Sequence, residues 1–189
     1  LSTVPFEALL TQEVSQEVSE DTSYTHGPPQ SEAGGVLTID LSAIEANWRK
    51  LRSQATPAEC AAVVKGDGYG CGLEPVAAQL YQAGCTTFFV ADLSEAKRAR
   101  AVAREATIYI LNGMPPGTAP VFAEHYLQPV IGNTSELAEW DMFCSSSGWH
   151  GGFALHVDTG MNRLGVTIDE AAAIAPRLST ENHGMTLLM

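Results

Sequence analysis

Lys65 closes a small apolar run, Ala62-Val63-Val64, and a glycine-rich stretch follows at once: Gly66-Asp67-Gly68-Tyr69-Gly70-Cys71-Gly72. The chain holds three lysines, and Lys50 and Lys97 sit among charges and read as solvated helix residues. Lys65 falls where its amine is held at the end of a packed strand, and such an amine can act as a nucleophile toward a carbonyl. The glycines let backbone approach a ligand closely, and Tyr69 offers a phenolic donor. A phosphate P-loop is a poor match, because there the lysine follows the glycines and a Ser or Thr comes next.

A second constellation is Leu155-His156-Val157-Asp158-Thr159-Gly160-Met161-Asn162-Arg163-Leu164-Gly165. Arg163 is the one arginine between Arg104 and Arg177. An isolated arginine in a glycine-flanked turn suits a carboxylate or phosphate, or alternatively pairs with Asp158 to hold its own loop. Asp158 and Thr159 are turn formers. His156 belongs on the preceding strand, where a structural role outweighs proton transfer. Asn112-Gly113-Met114-Pro115-Pro116-Gly117 reads as a loop on the same face, and Trp140, Phe143, Trp149 and Phe153 as helix-on-sheet packing.

These groups need a frame. Apolar runs at 61–65, 87–91, 107–111, 128–131, 153–157 and 184–189 read as strands, with little alternation, as when both faces are buried. Helical patterns lie near 73–83, 94–104, 118–126, 134–144 and 168–178, with starts marked by Asn133 and Glu136 and by Thr167 and Glu170. Leu37–Leu41 alternates like a further strand, and Ser42 with Glu45 reads as a capping box for a helix whose Ile44, Trp48 and Leu51 share a face. Strands each followed by a helix mean parallel βα units, α/β in class. Both a doubly wound sheet and a (β/α)8 TIM barrel fit, and in either the ligand end lies at the strands' carboxyl ends, where Lys65 and Arg163 both fall.

Composition narrows the partners. With 189 residues, 45% apolar and 17% charged, the chain is globular, and its net charge of −12 argues against nucleic acid or an anionic membrane. No run has the length of a membrane span, and no secretory signal opens the chain, so the protein is expected in the cytoplasm. Cys60, Cys71, Cys85 and Cys144 lack paired spacing and read as reduced thiols, and the five histidines lack metal-ligand spacing, so no metal is expected. Residues 1–35 are expected to be a flexible acidic extension with a possible short helix through Phe6, Leu9 and Leu10, and 36–189 the folded domain.

The two runs together resemble alanine racemase, the fold-type III pyridoxal-phosphate enzyme. Val63-Val64-Lys65 with Asp67-Gly68-Tyr69-Gly70 and Gly72 is similar to its cofactor-lysine motif, and Asp158–Gly165 to its arginine loop. Ile39-Asp40-Leu41-Ser42-Ala43-Ile44-Glu45-Ala46-Asn47 resembles the family's opening, and the likeness runs co-linearly from Leu37 to Met189. It implies a (β/α)8 TIM-type barrel, present here as about six βα units, with roughly two units and a C-terminal β-domain beyond Met189. It implies pyridoxal 5'-phosphate as cofactor and racemisation of alanine by two-base proton transfer at Cα. Lys65 would form the Schiff base and serve as one base, Tyr69 would donate to the cofactor phosphate, and Arg163 would lie near the cofactor phenolate oxygen and the substrate carboxylate. The second base would be a tyrosine of the partner subunit's β-domain in a homodimer. His156 stands where many members carry a carbamylated lysine that orients the arginine, a role imidazole cannot fill that way. Two alternatives accompany this reading. One is a non-catalytic pyridoxal-phosphate-binding protein. The other is an inactive fragment whose open sheet edges leave it unstable as a monomer.

Overall fold

A computed structural model describes residues 28–181 and 185–188. The helix expected through Phe6, Leu9 and Leu10 lies outside the described residues. The chain divides into two compact units, 1–38 and 39–189. In the first, the described residues include one 3-10 turn, Gln30–Glu32. The second holds six strands: β1 (Ala62–Val63), β2 (Thr87–Val90), β3 (Thr107–Ile110), β4 (Gln128–Ile131), β5 (Phe153–Leu155) and β6 (Met185–Leu188). All neighbours pair in parallel in the order β1-β2-β3-β4-β5-β6. Sequential parallel order with helical crossovers is an arc of a (β/α)8 barrel rather than a doubly wound sheet, whose order reverses at a switch point. Among the described residues, β1 and β6 stand at the two edges of the arc.

The helices are α1 (Leu41–Ala55), a single turn α2 (Lys65–Tyr69), α3 (Leu73–Gln82), α4 (Leu93–Val102), α5 (Ala119–Glu124), α6 (Thr134–Ser147) and α7 (Ile168–Glu181). The main core lies between sheet and helices. Phe88, Ile108, Ile131 and Leu155 meet Leu73 and Leu80 of α3, Ala96 and Ala99 of α4, Phe122 of α5 and Trp140 of α6. The opposite sheet face carries a smaller cluster of Tyr109, Val130 and Ala154 with Phe89 and Leu111, in which Phe89 and Tyr109 stack at 5.0 Å. Burial on both faces explains why the strands read as unbroken apolar runs.

Helix starts follow polar side chains. Asn133 accepts the Glu136 N–H at 2.9 Å, and Thr167 and Glu170 cap one another, both as the spacing indicates. The start of α1 differs from expectation. Asp40, not Ser42, is the N-cap, and it accepts the Ala43 N–H at 3.0 Å, while Glu45 is drawn away to Arg49 and Gln79. The strand expected over Leu37–Leu41 is not formed: no described strand pairs with it, and Leu37 is exposed. Leu51 likewise stays exposed, while Trp48 is buried and donates to the Cys60 carbonyl at 3.0 Å, tying α1 to the entry of β1. The C-terminal end of α4 is closed by Arg100, whose guanidinium donates to the carbonyls of Ala103, Arg104, Ala106, His125 and Tyr126. That clamp joins α4 to the approach of β4, and burial pulls the Arg100 pKa below its ordinary value. Among the described residues, no helix is long and apolar enough to cross a membrane.

Candidate active site at the carboxyl ends of the strands

Lys65 directly follows β1. The Val64 N–H still donates to the Phe89 carbonyl at 2.9 Å, so the sheet ladder runs up to the residue before the lysine. The chain then makes one left-handed turn. Gly66, Asp67 and Gly68 have φ of 63°, 54° and 63°, and Tyr69 has φ of 56°. Glycine adopts this region freely, whereas Asp67 and Tyr69 each bear a cost of about 1–2 kcal/mol. The run therefore coils as a single helical turn of the opposite hand to an ordinary helix. Only Gly68 of the turn is buried, against Leu73 and Val76.

The turn is tied down from α4. Glu95 accepts the Asp67 N–H at 3.0 Å with one carboxylate oxygen and the Ala91 N–H at 2.8 Å with the other. Arg98 donates to both oxygens of Glu74 and to Asp67 at 2.6 Å. Asp67 in turn accepts the Leu73 N–H at 3.2 Å at the start of α3. These partners hold the Glu74 carboxyl below its ordinary pKa, chiefly through the Arg98 hydrogen bonds, and raise that of Arg98. Glu74, Glu95 and Arg98 were not singled out in the sequence. One signal was there: Asp92 and Glu95 have capping-box spacing after β2, and Asp92 does cap α4 by accepting the Glu95 N–H at 3.0 Å.

Lys65 is half-buried, and Tyr69 is 67% exposed. Neither side chain has a hydrogen bond or ion pair to the described residues. Both are thus available at the rim, in contrast to Arg98, whose charge is spent on two carboxylates.

The arginine loop stands beyond β5. The His156 N–H donates to Ile131 at 2.9 Å and its carbonyl accepts from Val166 at 2.8 Å, so His156 extends the sheet, half-buried. Val157 and Val166 form a bridge that closes the loop at its base. Asp158 accepts the N–H groups of Gly160 at 2.9 Å and Asn162 at about 3 Å, and these bonds hold its carboxyl below the ordinary value. Asp158 is therefore the turn former expected of it, and it makes no ion pair with Arg163 among the described residues. Arg163 is exposed, without a side-chain partner among them. Gly165 has φ of 112°, and a Cβ there would lie 2.7 Å from the Asp158 backbone nitrogen. The base of the loop thus admits only glycine.

Because every strand is parallel, Lys65 and Tyr69 after β1 and Arg163 after β5 stand at the same end of the sheet. The 112–117 loop after β3 is at that end too, with Gly113 close to the Glu136 carboxylate and the Gly117 N–H donated to Glu139 at 2.7 Å.

Six parallel strands in sequential order with helical crossovers define a (β/α)-barrel type of domain, and among the described residues its carboxyl end presents an amine, a phenol and a guanidinium without side-chain partners. Residues 39–189 match the family "Alanine racemase, N-terminal domain", and the chain belongs to that family. It is 55% identical over 159 residues to an alanine racemase of Methylobacterium nodulans, and 53% over 156 residues to one of Methylobacterium sp. strain 4-46. Those matches cover 84% and 82% of this chain and 43% of each relative, so the chain spans less than half the length of the relatives it matches. Among solved structures, alanine racemase from Bartonella henselae with covalently bound pyridoxal phosphate superposes with a TM-score of 0.75 at 35% identity. That match covers 79% of this chain and 44% of the other.

Proposed function

We propose that residues 39–189 are the cofactor-binding barrel segment of a pyridoxal-5'-phosphate-dependent alanine racemase, an isomerase that interconverts L- and D-alanine. The observation that carries the reading is Lys65: half-buried, without a side-chain partner among the described residues, and presented at a barrel strand's carboxyl end on a left-handed turn. The donor set suits the cofactor. An aldehyde requires a primary amine not held by a carboxylate, a phosphate ester requires donors such as a phenol, and a phenolate or carboxylate requires a guanidinium. Lys65, Tyr69 and Arg163 are those groups, and none is engaged elsewhere among the described residues.

When bound, the cofactor withdraws electrons from the substrate's Cα and makes its proton removable. Lys65 would hold the cofactor by its aldehyde and, once released as a free amine, would carry a proton at Cα on its own face. Tyr69 holds the phosphate by donating its hydroxyl. Arg163 orients the substrate carboxylate and holds negative charge beside it. Racemisation needs a second acid–base group on the opposite face. That group is a tyrosine contributed by a partner subunit's further domain, so the working unit is a homodimer. The four free thiols support a reducing compartment, the cytoplasm.

The test is borohydride trapping with pyridoxal phosphate, followed by peptide mapping. The adduct is expected on Lys65, and it should vanish in Lys65→Ala. An equal yield of adduct in Lys65→Ala would overturn the assignment. Exchange of the alanine Cα proton by the full-length polypeptide then separates a racemase from a carrier that only binds the cofactor.

A further inference from the structure

We infer that Glu95 and Arg98 are positioning residues for the Lys65 turn. From one face of α4 they hold Gly66–Tyr69 in its left-handed form and so set where the amine and the phenol stand. The inference rests on the reading of Lys65 given above.

The turn has little packing of its own. Gly66, Asp67, Tyr69 and Gly70 are exposed, and Gly68 alone is buried. Two of the exposed residues are non-glycine residues at positive φ, a conformation that persists only where surroundings impose it. Two attachments from α4 converge on Asp67, two residues from Lys65 and two from Tyr69. Glu95 takes its backbone N–H, and Arg98 takes its carboxylate. Glu95 and Arg98 are three apart and share a helix face. That helix is itself fixed, since Ala96 and Ala99 are fully buried and Asp92 caps its start. The second oxygen of Glu95 grips the Ala91 N–H just past β2, so one carboxylate staples the lysine turn to the neighbouring strand end. Arg98 adds Glu74 of α3, so three elements meet at the turn. Neither residue needs to touch the reacting atoms, because each acts through Asp67.

The experiment compares the full-length polypeptide with its Glu95→Gln and Arg98→Lys variants. In Glu95→Gln an amide NH2 opposes one of the two backbone N–H groups. In Arg98→Lys a single ammonium cannot serve both carboxylates. Hydrogen exchange is followed in the protein without cofactor, and borohydride trapping at Lys65 is followed against pyridoxal phosphate concentration. Exchange at 66–70 is expected to rise roughly tenfold with β2–β4 unchanged, and the concentration for half-maximal trapping to rise roughly tenfold, as when one charge-assisted hydrogen bond is lost. Wild-type exchange at the turn with wild-type trapping would overturn the inference. So would exchange raised equally throughout the core, which marks a general loss of stability. Should Glu95→Gln not fold, Arg98→Lys carries the same two outcomes. If the wild-type chain itself gives no adduct at Lys65, the functional reading fails, and the exchange arm still decides whether Glu95 and Arg98 hold the turn.

Discussion

Arg98 meets Glu74 as a two-point fork, Nε to Oε1 at 2.5 Å and Nη2 to Oε2 at 2.6 Å. The same Nη2 reaches Asp67, so the fork joins α3 and α4 to the turn that carries Lys65. The folded Glu74 carboxyl lies below its ordinary pKa, first because of Arg98. Its contribution to stability is therefore complete above the ordinary carboxylate value and is lost as the pH falls through the lowered, folded value. The pair is partly exposed, so the contribution is about 1 kcal/mol. Melting temperatures of wild type and Glu74→Gln, measured from neutral pH into the acid range, should converge as the pH drops. Parallel curves at a constant offset would show that the fork contributes nothing through its charge.

Tyr69 is the second group to test. It is 67% exposed and makes no side-chain hydrogen bond among the described residues, so Tyr69→Phe should melt within about 0.5 kcal/mol of wild type. Binding of pyridoxal phosphate should weaken roughly tenfold, because one hydrogen bond to a charged phosphate is lost. An unchanged dissociation constant, measured by absorbance titration, would remove Tyr69 from the proposed site.

How far the sequence disclosed this arrangement depends on the range of each interaction. The strands were legible because each is a short apolar run between turn formers, and Phe88, Ile108 and Leu155 show why, with exposure near zero. The starts of α6 and α7 were legible because Asn133 with Glu136 and Thr167 with Glu170 act within one turn. The start of α1 was misplaced because Asp40 and Ser42 are both competent caps, and packing of Glu45 against Gln79 settled the competition from 34 residues away. The alternation at Leu37–Leu41 misled because period two marks a strand only where a neighbouring strand can pair with it. Lys65, Tyr69 and Arg163 stood out as candidates because an amine, a phenol and a guanidinium are conspicuous among glycines. The supports of that chemistry were hidden. Asp67 meets Arg98 across 31 residues and Glu95 across 28, distances at which local spacing carries no signal.

The thiols should divide by desolvation of the sulfur. Desolvation pushes Cys85 and Cys144 up to about 11. At pH 8 each is then thiolate in only about one molecule in a thousand, and the thiolate is the form that reacts. Alkylation of the native protein followed by mass spectrometry should label Cys60 and Cys71 before Cys85 and Cys144, and denaturant should abolish the difference. Early labelling of Cys85 in the native protein would mean that β2 does not pack at its entry as described.

The arginine loop offers the sharpest test of geometry against chemistry. Gly165 sits at φ of 112°, and an added Cβ would stand 2.7 Å from the Asp158 nitrogen, 3.1 Å from the Val157 carbonyl carbon and 3.2 Å from the His156 oxygen. Those are backbone atoms and cannot swing aside as a side chain would. Gly165→Ala must therefore break the Val157–Val166 bridge or shift the loop, at a cost of about 1–3 kcal/mol. Gly160 also has positive φ, but nothing lies within 4 Å of its Cβ position, so Gly160→Ala meets backbone strain alone, about 1–2 kcal/mol. On the proposed racemase reading, and if the loop's base sets the placement of Arg163, Gly165→Ala should raise the KM for alanine far more than Gly160→Ala does. Equal effects from the two variants would separate Arg163 from the Asp158–Gly165 scaffold and place its orientation elsewhere.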